Sequence, residues 1–259
     1  MSEEVLTDID GKIARVTINR PDRRNALSNK VVKLLTEQFN ELSENDDVTV
    51  IVLTGAGEKA FCAGGDLMDQ QMGDGALAMH EERGAFADML LAMNRCAKPI
   101  IARVNGHALG GGFGLALNCD IAVGADNATF GTPEIKVGLF PMMIMAVIAR
   151  NIGRKKTMEL MLTGSRLSAE EAQEEGVVNY AVPADELDEK VDELAERIAG
   201  FSPAILRLGR RAFYKTQDMD FEEALRSLHN ELTINTLTED AAEGIMAFIG
   251  KRDPEWKGK

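Results

Sequence analysis

The sequence predicts an α/β fold from three observations: apolar runs typical of strands, helical periodicity between them, and turn-forming residues at their junctions. Asp10-Gly11 divides residues 5–20, whose second half alternates between apolar and polar positions, and this indicates a β-hairpin. Further strands are predicted at residues 48–54, 99–104 and 120–124. The intervening helices give the coarse order ββα, βα, βα, followed by one more strand and several helices.

The first helix is predicted to begin after Ser28, because serine caps helix N-termini well. Its buried face is formed by apolar residues at helical spacing: Val31, Leu34, Leu35, Phe39 and Leu42. Residues 21–25 are predicted to form a basic loop. Residues 67–83 are predicted to form a mobile loop, and a second helix follows it to about residue 97.

The chain after Pro141 is predicted to be mostly helical, with one strand at residues 177–182. Pro203 is typical of the first turn of a helix. It is predicted to open a helical tail that continues to the C-terminus.

Composition limits the classes of function. The formal net charge of −13 argues against general binding of nucleic acid, which requires a basic surface. The longest uncharged stretches, 104–119 and 137–149, are too short or too rich in glycine to span a membrane. The acidic N-terminus has no apolar signal region, and the three cysteines have no spacing typical of a metal site or disulfide framework. A cytoplasmic protein without a bound metal is therefore expected.

The most informative segment is the glycine-rich run at residues 105–114, which follows an apolar stretch and leads into a predicted helix. Backbone N–H groups at a helix start have no acceptor within the helix, and the positive end of the helix dipole lies beside them. Such a site suits an anion, either a bound phosphate or an oxyanion that forms during a reaction.

A second turn of small residues, Ala63-Gly64-Gly65, also follows an apolar run. Two such turns could together donate two N–H groups to one oxyanion, although glycines also permit close packing. Glu134 lies in an otherwise apolar segment, which is expected to raise its pKa toward neutrality and suits a general acid or base. A solvent-exposed or helix-capping carboxylate is the alternative interpretation.

Residues 55–60 match the spacing G-x-G-x-x-G/A of a dinucleotide-binding turn. The sequence that follows does not predict a helix, so residues 55–60 are predicted to form a simple turn. A dinucleotide-binding site, as in an NAD-dependent dehydrogenase, is the disfavoured alternative. There is no phosphate-binding Gly-Lys-Ser/Thr, no zinc-binding histidine pair and no G-x-S-x-G serine elbow.

Several motifs in order resemble those of the crotonase superfamily, also called the enoyl-CoA hydratase/isomerase family, over nearly the whole length. They are residues 18–27, residues 59–67, residues 98–112 with 118–120, residues 130–134, and residues 243–248 with Lys251 and Arg252. The resemblance implies a crotonase-like spiral of ββα units with a C-terminal helical trimerisation segment. It divides the chain into a core with the acyl-CoA site, residues 1–198, and a helical segment for oligomer contacts, residues 199–259.

The resemblance also implies an acyl-CoA thioester substrate whose carbonyl becomes an enolate. The N–H groups of Ala63 and Gly111 align with the two oxyanion donors, and Glu134 aligns with the glutamate that exchanges the α-proton. The substrate-contacting turn aligns with four consecutive residues: Ala63, Gly64, Gly65 and Asp66. No cofactor is implied beyond the CoA moiety, and a homotrimer or a dimer of trimers is expected.

Two basic residues, Arg24 and Lys251, are candidates for contacts with the CoA phosphates. A local basic pocket is all the more important in a chain of net charge −13. The methionines at positions 142, 143 and 145 suggest an apolar pocket for the acyl group, although methionines also serve as ordinary core residues.

The chain departs from the family pattern at Gly114, where hydratases have a second glutamate that helps to activate water, and at Met142, where dienoyl isomerases have an aspartate. This leaves hydration and double-bond isomerisation both open, because one carboxyl can shuttle a proton between two carbons. A non-catalytic acyl-CoA-binding protein is a further alternative. Three acids could replace the missing group: Asp66, Asp69 and Asp74.

Overall fold

The computed structural model describes residues 3–66 and 75–259, and it confirms an α/β fold. The strands are β1 Val5–Asp10, β2 Ile13–Ile18, β3 Val50–Gly55, β4 Ala60–Cys62, β5 Ile100–Val104, β6 His107–Leu109, β7 Ile121–Ala125, β8 Thr129–Gly131, β9 Arg166–Ser168 and β10 Tyr180–Val182. The α-helices are α1 Asn29–Glu44, α2 Ala76–Arg95, α3 Gly111–Leu117, α4 Met142–Asn151, α5 Arg154–Thr163, α6 Ala169–Glu174, α7 Leu187–Ala199, α8 Pro203–Thr216, α9 Phe221–Thr236 and α10 Glu239–Gly250. Short 3-10 helices span Pro21–Arg23 and Pro133–Val137.

The local signals at the N-terminus act as predicted. Strands β1 and β2 form an antiparallel hairpin, and Gly11 in its turn has a φ of 55°, a conformation that favours glycine. The Ser28 side chain accepts a hydrogen bond from the backbone N–H of Val31 and caps α1. The buried face of this helix includes four of the five predicted residues, and Leu34 is partly buried.

The strands form two sheets. The six-stranded sheet has the order β1-β2-β3-β5-β7-β10 and is parallel from β2 onward. The four-stranded sheet has the order β4-β6-β8-β9, with β9 antiparallel. The pairs β3/β4, β5/β6 and β7/β8 each contribute one strand to each sheet before a helical segment follows. This repetition is the expected spiral of ββα units.

Several element predictions are wrong. The strands of the four-stranded sheet have three residues each, too few for a recognisable period, and the predicted order omits them. Residues 76–83 belong to α2 instead of a loop, and residues 67–74 of that predicted loop lie outside the described part of the chain. The strand predicted at 177–182 begins only at Tyr180, because the backbone N–H groups of Val177 and Val178 bond to the carbonyl of Ala172 at the end of α6.

The core lies on both faces of the six-stranded sheet. Its larger cluster includes residues of β2, β3 and β5 together with α1, α2 and α3. A smaller cluster packs Val50, Val52 and Ile101 against α7. The parallel strands are therefore buried on both sides and present the site loops at their ends.

An ion pair between buried Arg210 and Asp120 at the protein surface connects α8 to the rest of the fold. Arg210 donates to Asp120 at 2.8 Å and to the backbone carbonyls of Met93, Asn94 and Cys96. The division predicted at residues 198 and 199 falls at the last residue of α7, and helices α8 to α10 follow it. No helix within residues 3–66 and 75–259 is both long and apolar enough to cross a membrane.

Candidate active site

The turn after β4 is held by a second segment that runs beside it. The N–H of Ala63 donates to the carbonyl of Arg24 at 3.0 Å. Leu27 donates to the carbonyl of Gly64 at 2.8 Å and accepts from the N–H of Asp66 at 2.9 Å. These two bonds form a parallel bridge between Leu27 and Gly65. In such a bridge the N–H of the central residue points away from the partner strand, so the N–H of Gly65 projects from the opposite edge.

This geometry corrects the donor expected from the sequence. The Ala63 N–H is already bonded to Arg24 and is not available to a ligand in this structure. The Gly65 N–H has no acceptor in the described part of the chain. The available donor of this turn is therefore Gly65, two residues beyond the predicted one.

The second donor lies at the start of α3. Gly110 has a φ of 54° and donates to the carbonyl of Gly131 at 2.9 Å, and this bond fixes the entry to the helix. Gly111 is the first residue of α3, so its N–H has no acceptor within the helix. The two turns are in contact, because a Cβ placed on Gly64 would lie 3.2 Å from the Gly111 nitrogen. Only glycine permits this approach.

The Glu134 carboxyl is close to the second turn. A Cβ placed on Gly110 would lie 2.8 Å from Glu134 Oε1. Glu134 Oε2 is buried and has no hydrogen-bond partner among the described residues. Burial raises the pKa of this carboxyl, and a hydrogen bond from its own backbone opposes the rise. A half-buried carboxyl with a raised pKa and a free Oε2 atom suits proton transfer.

These groups share one cavity with a volume of about 410 Å³. Its polar end holds Gly65, Gly111 and Glu134, and Ala63 and Gly64 also line it. The rest of the wall is mainly apolar and includes Leu27, Val32, Phe86, Val137, Leu139, Phe140, Met142, Met143 and Ile144. Two of the three predicted pocket methionines thus line the cavity, and Met145 does not.

The other predicted site residues are placed elsewhere. Asp66 is outside the cavity lining and forms a 3.0 Å ion pair with Arg20, so it stabilises the turn. Arg24 lines a separate depression of about 310 Å³ with Lys59 and His107. Lys251 ends α10 in a left-handed conformation and does not line the cavity. Two further acids that could replace the missing group, Asp69 and Asp74, lie outside the described residues.

Gly55 and Gly57, which suggested a dinucleotide-binding turn, have a structural role. Strand β4 follows them, and no helix starts there. A Cβ on Gly55 would lie 2.5 Å from the Nδ2 atom of Asn25, whose side chain also donates to the carbonyls of Ala56 and Ala60. These glycines allow a tight turn that the Asn25 side chain cross-links.

The space beside Gly114 is occupied by an apolar side chain. A Cβ on Gly114 would lie 2.4 Å from Ile144 Cγ2 and 3.0 Å from Ile144 Cβ. Ile144 is buried and belongs to α4, which packs on α3. The packing therefore requires glycine at position 114 and leaves no room for a carboxyl side chain there.

This contact predicts coupled stability effects. Gly114→Ala should lower the free energy of unfolding by about 1–3 kcal/mol, because the new methyl overlaps Ile144 Cγ2. Ile144→Ala removes that atom, so the cost of the double variant should fall below the sum of the two single costs by about 1 kcal/mol or more. Urea denaturation of the four proteins measures both quantities. Additive costs would contradict the contact.

The raised pKa of Glu134 predicts that the free energy of unfolding depends on pH. Its pKa is raised in the fold, whereas the unfolded chain has the ordinary value of about 4.3. Below the ordinary value both states are protonated. As the pH rises, the unfolded chain releases its proton first, and stability is lost until the pH exceeds the folded pKa. Since glutamine does not titrate, Glu134→Gln should gain stability relative to the parent protein as the pH rises above the ordinary value of about 4.3. A constant difference in urea unfolding free energy would contradict this.

The cavity residues that the sequence analysis does not identify include Glu82, Arg83, Phe86 and Lys136. The first two fall in the segment predicted as a loop. The spacing of Met79, Glu82 and Phe86, three and four residues apart, could have indicated one face of a helix.

Comparison with known proteins identifies similar chains over the whole length of this one. The sequence profile described as Enoyl-CoA hydratase/isomerase matches residues 8–259. The 2,3-dehydroadipyl-CoA hydratase of Escherichia coli is 34% identical over 257 residues, which cover 99% of each chain. A carnitinyl-CoA dehydratase from another Escherichia coli strain is 37% identical over 268 residues and the full length of both. The crystal structure of an enoyl-CoA hydratase from Mycobacterium smegmatis superposes with a TM-score of 0.95 at 34% identity, covering 98% of this chain and 99% of the other.

Proposed function

The chain belongs to the enoyl-CoA hydratase/isomerase family, and from that premise we propose that its cavity forms and stabilises the enolate of an acyl-CoA thioester. The N–H groups of Gly65 and Gly111 bind the thioester oxygen, and Glu134 exchanges a proton at C2. The observation that carries this proposal is one cavity that brings together the amides of Gly65 and Gly111 and the Oε2 atom of Glu134, none of which has a hydrogen-bond partner within residues 3–66 and 75–259. The family identity and the crotonase fold of the structural neighbours make this an acyl-CoA-processing enzyme.

The proposed oxyanion hole acts on the charge that develops during the reaction. Removing or adding a proton at C2 passes through an enolate, whose negative charge lies largely on the thioester oxygen. Two fixed N–H groups stabilise that charge more than they stabilise the neutral carbonyl, so they lower the barrier. The dipole at the start of α3 adds to the effect.

Glu134 is proposed to carry the proton. Its raised pKa makes the protonated form more accessible than in an ordinary glutamate, and this favours proton transfer in both directions. Its Oε2 atom has an unused hydrogen-bonding capacity that a substrate or water would satisfy. The apolar wall formed by α4 and the preceding loop receives the acyl group and excludes water.

Two basic residues are proposed to contact the CoA phosphates. Arg24 lies beside Lys59 in the second depression, and Lys251 is the second candidate.

The segment 199–259 is proposed to mediate a homotrimer or a dimer of trimers, since α9 and α10 expose Phe221, Leu232, Phe248 and Ile249. No cofactor beyond CoA is required by this chemistry. Buried, unpaired Cys62, Cys96 and Cys119 support a reducing, cytoplasmic location.

Incubation of the purified protein with a panel of enoyl-CoA esters in D₂O tests the proposal. We expect at least one ester to be transformed with deuterium incorporated at C2. Mass spectrometry of the recovered thioesters measures both events. If no ester is transformed and no C2 hydrogen is exchanged, the proposed function is wrong.

A further inference from the structure

We propose that Glu82 on α2 is the second acid–base group of this site and activates water, so that the enzyme adds water across, or removes it from, the C2–C3 bond. This inference rests on the proposed function. The site described so far lacks a second acid–base group. Glu134 alone can serve C2, whereas adding water also requires a group that takes a proton from the water attacking C3.

Position 114 on α3 cannot supply the second carboxyl. Ile144 fills the space beside Gly114, and Asp66 is paired with Arg20 outside the cavity lining. Among the described residues, only two carboxyl side chains line the cavity, those of Glu82 and Glu134. Within the described part of the chain, the second carboxyl is therefore that of Glu82 on α2.

The fold places Glu82 near the reacting end. Glu82 and Phe86 are four residues apart on α2 and share one face of the helix. A Cβ placed on Gly111 would lie 3.5 Å from Phe86 Cε2, so the Phe86 ring covers the first residue of α3. Glu82 is thus one helical turn, about 6 Å along the axis, from the residue that contacts the oxyanion donor. Glu134 approaches the same donor from a different wall of the cavity, against Gly110.

The Glu82 side chain is not used by the fold. It is half-buried beside apolar groups, and the described structure gives it no hydrogen bond or ion pair. Its neighbour Arg83 is adjacent in sequence, and adjacent helical residues do not face each other. Its carboxylate oxygens are therefore available to a ligand or water in the cavity, and this is the role that we assign to them.

Hydration proceeds by three proton and electron-pair movements. Ionised Glu82 accepts a proton from water while the water oxygen forms a bond to C3. The π electron pair of C2=C3 moves into the thioester, where Gly65 and Gly111 bind the enolate oxygen. The enolate pair then takes a proton from protonated Glu134 at C2. The product is a 3-hydroxyacyl-CoA, and one proton passes from Glu82 to Glu134 through solvent before the next cycle.

Two assays on Glu82→Gln separate this role from that of Glu134. The first measures hydration of a 2-enoyl-CoA. The second measures exchange of C2 hydrogen for deuterium in a saturated acyl-CoA, which requires the amides and Glu134 but no attack at C3. We expect Glu82→Gln to lose hydration by about 10²-fold or more and to keep C2 exchange within a few-fold. Glu134→Gln should lose both.

Glu81→Gln is the matched control, because Glu81 is exposed on the same helix and does not line the cavity. It should behave as the parent protein in both assays. Glu82→Asp, which keeps the carboxylate, should retain more hydration than Glu82→Gln.

The possible outcomes are distinct. Full hydration by Glu82→Gln would overturn the inference, and so would loss of both activities in that variant. A parent protein that exchanges C2 hydrogen and isomerises enoyl-CoA esters without hydrating any would also overturn it, while leaving the proposed function intact. Absence of all exchange and turnover in the parent protein would refute the proposed function itself.

Discussion

Glu134→Gln should lower kcat/KM for an enoyl-CoA ester by about 10²-fold or more, up to about 10⁴-fold, while binding of a saturated acyl-CoA changes little. The amide has nearly the shape of the carboxyl and fits the same half-buried place against Gly110. It can neither release nor accept a proton near neutral pH. The transition state therefore loses its proton-transfer partner, whereas the apolar wall and the amides still hold the substrate.

Steady-state kinetics and calorimetric titration with the acyl-CoA measure the two effects separately. Glu170→Gln is a suitable control, because that carboxylate is exposed on α6 and lies outside the cavity lining. It should leave both quantities unchanged. A fully active Glu134→Gln protein would remove this residue from the proposed mechanism.

Gly111→Pro should lower kcat by about 10²- to 10³-fold relative to Gly111→Ala, because it removes one oxyanion donor. Proline is acceptable at the first position of a helix, where the missing N–H has no acceptor within the helix. Gly111 is not among the residues with positive φ, so the backbone does not require glycine. Both substitutions add a Cβ, 3.3 Å from Leu27 Cδ1, and only proline removes the N–H.

The comparison of these two variants cancels the effect of the Cβ that both add, so the remaining difference reports replacement of the N–H by the proline ring. Thermal unfolding of both proteins shows whether α3 is intact, and the kinetic ratio is read only between folded proteins. Equal kcat values would mean that the Gly111 amide does not bind the developing oxyanion.

Local signals predicted the parts of the fold that depend on neighbouring residues. The Asp10-Gly11 hairpin and the Ser28 cap are fixed by turn chemistry and by one side-chain hydrogen bond. The glycine run and Glu134 were also identifiable, because a helix start and an isolated carboxyl in an apolar segment are features of the sequence itself.

Features that depend on distant pairing were not predictable. Which N–H of the turn at residues 63–65 is available depends on Leu27, which pairs with Gly65 and leaves Ala63 bonded to Arg24. No local pattern contains that register, and the family resemblance, which implies Ala63 as the donor, does not contain it either. In the same way, the contact between Gly114 and Ile144 arises only when α4 packs on α3.

The start of α2 is a third example. Its first half contains Gly84 and has no strong N-terminal cap, since Gly75 makes no side-chain bond there. A loop was therefore the natural prediction from propensity. The helix is held by packing against α1 and the core, and this packing brings Glu82 and Phe86 to the cavity.

A crystal structure with a saturated acyl-CoA bound tests the central claim most directly. We predict that the thioester oxygen lies about 3 Å from the nitrogen atoms of both Gly65 and Gly111, with the C2 atom next to the Glu134 carboxyl. An oxygen bound instead by the Ala63 nitrogen, or a thioester far from the start of α3, would contradict the account.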